Sequence, residues 1–204
     1  MKRLGLLLLV LFCGFSSALA EGPTDNRLTE GQVLRGQFVQ ERHLQGFDNP
    51  LRSEGRFVLA PGHGLIWQTE KPFAITTVIT AAGLAQEVNG NQTLKLEAAK
   101  LPFLNQLYDM LSGALTGEWA KLEAGFVVTR KGDDRHWQVS LKPRNVDDPG
   151  MPFTAIDVTG SQFIDDMTLT KPDGDFDKLS YHDQAVSDQP LTAAESAAFA
   201  TTAP

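Results

Sequence analysis

The side chains able to do chemistry are few, and their spacing assembles no catalytic group. The histidines are His43, His63, His136 and His182. They form no His-x-x-x-His pair, and the chain holds neither a Gly-x-Ser-x-Gly elbow nor a phosphate-cradling glycine loop. His63 lies in Pro-Gly-His-Gly, a turn in which an exposed side chain is expected. His182-Asp183 offers a base beside an orienting carboxylate, but no serine is placed to complete a triad. Acidic residues gather at Asp147-Asp148, Asp165-Asp166 and Asp173-Gly174-Asp175, all beside turn formers. Asp-rich turns can present oxygen ligands to calcium, yet none of these matches the calcium loop with its terminal Glu. Adjacent aspartates on a strand point to opposite faces, which argues against a shared proton. Solvated turns are the simpler reading. The residues predict no catalytic group, no metal and no cofactor.

The aromatic residues carry more information. Trp67, Trp119 and Trp137, with Phe38, Phe57, Phe73, Phe103, Phe126 and Phe153, stand among short side chains. Most belong in a core. The elements that must position them have a period of two. Gly36 to Leu44 places Phe38, Gln40, Arg42 and Leu44 on one side; Phe57 and Leu59 share a side within Arg56–Leu59; and Leu65, Trp67 and Thr69 share one within Gly64–Glu70. Phe73 to Thr80 is rich in β-branched residues. Asn89-Gly90 between two alternating runs predicts a hairpin. Further strands are expected at Phe126–Arg130, His136–Lys142, Phe153–Thr159, Asp166–Thr170 and Lys178–His182. Roughly ten strands joined by short turns predict a mainly β chain with few helices, built as one large antiparallel sheet.

Pro102 to Leu115 interrupts the strands with helical spacing: Phe103, Leu104, Leu107, Met110-Leu111 and Leu115 recur on one side. Pro102 suits a first helical turn and Gly117 a stop. Such a helix covers one sheet face, either as a permanent core element or as a lid over an apolar hollow. Thr192–Phe199 predicts a short terminal helix, with a frayed tail from Thr201. An open sheet under one helix cannot fill its concave side, and the apolar vacancy suits a lipid. A palmitoyl-sized chain would gain roughly 0.8 kcal/mol per buried methylene, about 10 kcal/mol before ordering costs.

The N-terminus predicts export. Met1-Lys2-Arg3 is basic, Leu4 to Phe15 is apolar, and Ala18-Leu19-Ala20 suits signal peptidase. The apolar run is too short for a membrane span. Cys13 as a lipidated residue is disfavoured by bulky Phe12. Residues 1–20 are thus expected to be a signal peptide, and 21–204 a single domain in the periplasm. Losing the signal removes the only cysteine, and no disulfide supports the mature chain. It also removes Lys2 and Arg3, leaving 16 basic against 25 acidic side chains, net −9. That acidity argues against nucleic acid.

Phe38-Val39-Gln40, then Gly55-Arg56-Phe57, then Trp67 with Pro72 and Gly83, resembles the LolA-like periplasmic lipoprotein-carrier family. The likeness continues at Pro102-Phe103-Leu104 and returns at Phe153–Gly160 and Gly174–Tyr181. It implies an unclosed antiparallel half-barrel covered by a helical lid, with acyl chains held between, and no reaction. It also implies hand-off between inner-membrane release factors and outer-membrane acceptor factors. The family's lipoprotein carriers have an Arg-Pro pair before the Trp strand, whose arginine fastens the lid. Here Ala60-Pro61-Gly62 stands at that spacing, and only Arg52 or Arg56 lies near enough to substitute. Gly22, Pro23 and Gly31 also discourage a long N-terminal helix. These departures suggest either a divergent lipoprotein carrier or a relative that moves another amphiphile, such as a glycolipid or long-chain pigment ester. A sensor module on the same fold, or a small enzyme on it, are the alternatives. The expected acyl-lining residues are Phe38, Phe57, Leu65 and Trp67 from the strands, with Phe103, Leu104, Leu107 and Leu111 from the helix. A monomer is expected.

Overall fold

A computed structural model describes residues 28–100, 123, 125–133, 135–145 and 151–203. The expected signal peptide, the Pro102–Leu115 helix and Asp147-Asp148 lie outside the described residues. The strands are β1 (Val33–His43), β2 (Leu51–Ala60), β3 (Gly64–Lys71), β4 (Ile75–Thr80), β5 (Gly83–Val88), β6 (Asn91–Glu97), β7 (Phe126–Gly132), β8 (Trp137–Pro143), β9 (Ala155–Gly160), β10 (Ile164–Thr170) and β11 (Phe176–Ser187). A helix, α1 (Ala193–Ala200), follows. The strands form one 11-stranded antiparallel sheet in the order β6-β5-β4-β3-β2-β1-β11-β10-β9-β8-β7. β6 and β7 are its edges, so the sheet is not closed.

Local chemistry explains most of these elements. Asn89 and Gly90 take φ of 51° and 78°, the left-handed pair that a two-residue hairpin turn needs between Val88 and Asn91. The β-branched run Ile75–Thr80 is β4. That strand starts at Ile75 rather than Phe73, whose side chain is 67% exposed just after Pro72. The one non-consecutive neighbour pair is β1 with β11, which joins the two ends of the chain. This seam extends both strands beyond their expected limits, because each residue that pairs gains ladder hydrogen bonds. Arg42 reinforces it: its Nε donates to Asp177 Oδ1 at 2.8 Å, and Lys171 Nζ lies 3.4 Å from Asp177 Oδ2.

The registers carry one face across all eleven strands. Successive side chains alternate faces, so Leu34 and Phe38 of β1 share a side with Phe57 and Leu59 of β2 and with Leu65 and Trp67 of β3. Leu179 and Tyr181 of β11, Met167 and Leu169 of β10, and Val139 and Leu141 of β8 continue it. We call this the inner face. It holds two buried clusters, one centred on Phe38 and Phe57, the other on Phe126, Val139, Leu141, Phe153 and Ile156.

The outer face carries a third cluster of Val33, Val58, Ala60, Ile66 and Val78, covered by Phe199 of α1. Thr192 caps that helix: its Oγ1 accepts from Glu195 N at 3.2 Å, and Glu195 Oε2 accepts from Thr192 N at 2.7 Å. The tail beyond α1 departs from expectation. Thr202 is buried, with its Oγ1 2.8 Å from Thr80 Oγ1, and Lys95 Nζ donates to Ala203 O. The docking of Phe199 brings the tail onto the sheet, which holds it in place of fraying.

Candidate lipid-binding face

Four aromatic rings meet on the inner face, supplied by four adjacent strands. Phe38 stacks on Trp67 at 3.6 Å between centroids, and Phe57 lies 6.2 Å from the same indole. Tyr181 stands edge-on to Phe57 at 5.6 Å and to Trp67 at 6.2 Å. The register explains the meeting, because Phe38 pairs with Tyr181 and Phe57 pairs with Trp67. Gly36 makes room: it pairs with Phe57, and a Cβ there would sit 2.7 Å from that ring. Leu28, Leu34, Leu59, Leu65 and Phe163 complete the cluster. Phe38 is fully buried, while Leu65, Trp67 and Tyr181 are half-buried. Burial pushes the Tyr181 phenol up from its ordinary value.

The structure therefore brings together Phe38, Phe57, Leu65 and Trp67, the four strand residues expected to line the acyl site. Phe103, Leu104, Leu107 and Leu111 lie outside the described residues. Sequence reasoning missed Tyr181 in this role. The alternation Asp177, Leu179, Tyr181 was legible, but nothing in the sequence placed β11 beside β1. Arg52 and Arg56 alternate out of step with Phe57 and face outward. Arg56 donates to Gln68 Oε1 at 2.7 Å and Glu70 Oε1 at 2.8 Å, and Arg52 lies 3.8 Å from Glu54. They tie β2 to β3 or to β2 itself.

The other expected polar sites resolve into ordinary contacts. His182 Nδ1 lies 3.1 Å from Asp183 Oδ2, exposed on the outer side, and Gln37 also donates to that carboxylate. Asp173 Oδ1 accepts from Asp175 N, Asp175 Oδ1 accepts from Gln45 N, and Ser180 donates to Asp166. His63 is exposed in its turn and stacks 5.7 Å from Phe199. Among the described residues no group of three or more metal-ligating side chains occurs, and no helix is long and apolar enough to cross a membrane.

A groove of about 460 Å³ lies on the outer face beside α1, with Arg35, Arg56, Gln68 and Glu195 over Val58 and Ile66. Its charges are already paired. Arg35 holds Glu195 through two bonds of 2.8 Å, which, helped by the Thr192 cap, bring that carboxyl down to about 2. The arrangement fastens α1 to β1, and the inner face is the better candidate for an apolar ligand.

Among curated proteins no sequence matches the chain. Of solved structures, a LolA superfamily protein from Nitrosomonas europaea is 10% identical with a TM-score of 0.43, over 80% of this chain and 90% of that one. A domain described as an outer membrane lipoprotein-sorting protein, from Vibrio parahaemolyticus, is 11% identical with a TM-score of 0.38, over 83% of this chain and 90% of that one. The family model for outer membrane lipoprotein carrier protein LolA-like sequences matches residues 15–155, well over half the chain. By that match the chain belongs to the LolA-like family of outer membrane lipoprotein carrier proteins.

Proposed function

We propose that this protein is a periplasmic carrier that holds the acyl chains of lipoproteins, or of a related amphiphile, on the inner face of its unclosed sheet. In this reading residues 1–20 direct export and are removed, and the mature domain takes cargo from an inner-membrane release factor and yields it to an outer-membrane acceptor. Phe38, Phe57, Leu65 and Trp67 line the acyl site from the sheet. Phe103, Leu104, Leu107 and Leu111 line it from a helical lid.

The observation that carries the reading is the aromatic cluster on the inner face of a sheet whose edges, β6 and β7, do not pair. An open sheet can part from whatever covers it, so an acyl chain can enter and leave without crossing a closed wall. The gain of about 0.8 kcal/mol per buried methylene is enough to keep a chain out of water. Ala60-Pro61-Gly62, in place of the family's Arg-Pro pair, favours a cargo or release step different from that of the lipoprotein carriers.

Native mass spectrometry of the protein isolated from its own periplasm, with solvent extraction of what co-purifies, tests the reading. A bound lipopeptide identifies a lipoprotein carrier; a bound glycolipid or pigment ester identifies a carrier of another amphiphile. An empty protein that also rejects offered lipids and apolar fluorescent probes overturns the proposal. For the lid, Leu107→Glu is expected to abolish lipid uptake in a folded domain. Uptake equal to that of the parent removes the lid assignment.

A further inference from the structure

The aromatic cluster contains two hydrogen-bond donors that the fold does not use. Among the described residues, neither the Trp67 Nε1–H nor the Tyr181 hydroxyl has a hydrogen-bond partner. Every fully buried side-chain nitrogen and oxygen among those residues does have one. Neither donor is therefore completely enclosed, although the burial that raises the Tyr181 phenol keeps it largely out of water. Their rings stand nearly perpendicular, at 78°, with centroids 6.2 Å apart. Trp137, on the same face of β8, is different: its Nε1–H donates to Ser161 O at 2.6 Å.

An apolar wall with two unpaired donors discriminates by chemistry. A hydrocarbon laid across it excludes water from both donors and gives nothing back, which is the costly way to bury a polar group. A carbonyl oxygen accepts from one or both. A carboxylate would also accept, but it would bring a charge into an apolar surface. The nearest arginine along the inner side of β1 is Arg42, and it is already held by Asp177. A neutral carbonyl is what the wall fits best.

We propose that Trp67 Nε1–H and Tyr181 Oη–H donate hydrogen bonds to the ester or amide carbonyl at the head of an acyl chain lying against Phe38, Phe57 and Leu65. The ligand class is thus a neutral acyl ester or amide, chosen over a bare hydrocarbon and over a free fatty-acid anion. This rests on the carrier reading, and it adds the polar point that sets where along the chain the ligand stops.

The test compares methyl palmitate, an alkane of matched length and palmitate, each delivered to the purified protein from mixed micelles and read by displacement of an apolar fluorescent probe. The parent is expected to bind the ester about tenfold more tightly than the alkane, the worth of one well-made hydrogen bond. Tyr181→Phe and Trp67→Phe each keep a ring; each narrows that preference about threefold, and the double variant removes it. With an isotope-labelled carbonyl, the infrared stretch of bound ester moves toward its position in alkane solvent when Tyr181 becomes Phe. Equal binding of ester and alkane by the parent overturns the proposal, as does an unchanged preference and carbonyl band in both single variants. A parent that binds none of the three ligands brings down the carrier reading itself, which is a distinct result.

Discussion

Trp67 and Trp137 sit on the same face of one sheet and do different things. Trp137 belongs to the β7–β10 half, in a cluster of Val139, Leu141, Ile156, Val158, Met167 and Leu169 with the stacked pair Phe126 and Phe153. Its indole N–H is bonded to Ser161 O, and a Cβ on Gly160 would lie 2.3 Å from its ring. Its polar atom is committed to the fold. Trp67 belongs to the β11-β1-β2-β3 half, where the rings of Phe38, Phe57 and Tyr181 meet its own among leucines. Its ring is packed, but its N–H is not engaged. The two halves differ in their indole donors: one is bonded within the fold and the other is not. A residue type and its face therefore do not assign a role, and the hydrogen-bond account does.

The comparison can be broken most forcefully at Phe38. Phe38→Ala empties a fully buried position under Trp67 and is expected to cost about 3–5 kcal/mol, read as a lower denaturant midpoint. A loss under about 1 kcal/mol would mean that the aromatic half is not a packed core at all.

The outer face supplies a reference with a titrating anchor. Glu195 has its carboxyl near 2, against an ordinary 4.5, mainly because Arg35 donates to it and Thr192 caps with it. Its lowered value means that it stabilises the fold above about 4.5 and that this stabilisation is lost as pH falls from 4.5 toward 2. The size is at most about 3 kcal/mol. Glu195→Gln should flatten that part of the stability profile, while Tyr181→Phe on the inner face leaves it unchanged. Identical acid profiles for Glu195→Gln and the parent would show that the Arg35–Glu195 pair does not anchor α1.

The finest test removes a single N–H. Replacing the indole of Trp137 by its benzothiophene isostere leaves Ser161 O without its donor and is expected to cost about 1–2 kcal/mol. The same replacement at Trp67 should alter stability by less than about 0.5 kcal/mol, since no partner is lost there. Equal costs at the two positions would erase the distinction between the halves.

Much of this molecule was legible from its residues. The period-two runs located the strands, and Asn89-Gly90 located a hairpin, because alternation and left-handed turns are local properties. Alternation also grouped Phe57 with Leu59 and Leu65 with Trp67 within their strands, but that these share a face with Phe38 depended on the register between strands. β11 was harder: Tyr181 was recognisable as a strand residue, but its partner strand lies more than a hundred positions away. The tail at Thr202 was read as frayed, since a polar Thr-Thr-Ala ending carries no local sign of docking.

The sequence by itself determined the strands, the turns and the family likeness, all of which depend on neighbours along the chain. Only the tertiary structure decided that the first and last strands pair, that α1 covers the outer face and that Tyr181 joins Trp67. Those contacts depend on register and docking between distant segments, where the free energy lies in which surfaces meet and not in the propensity of either one.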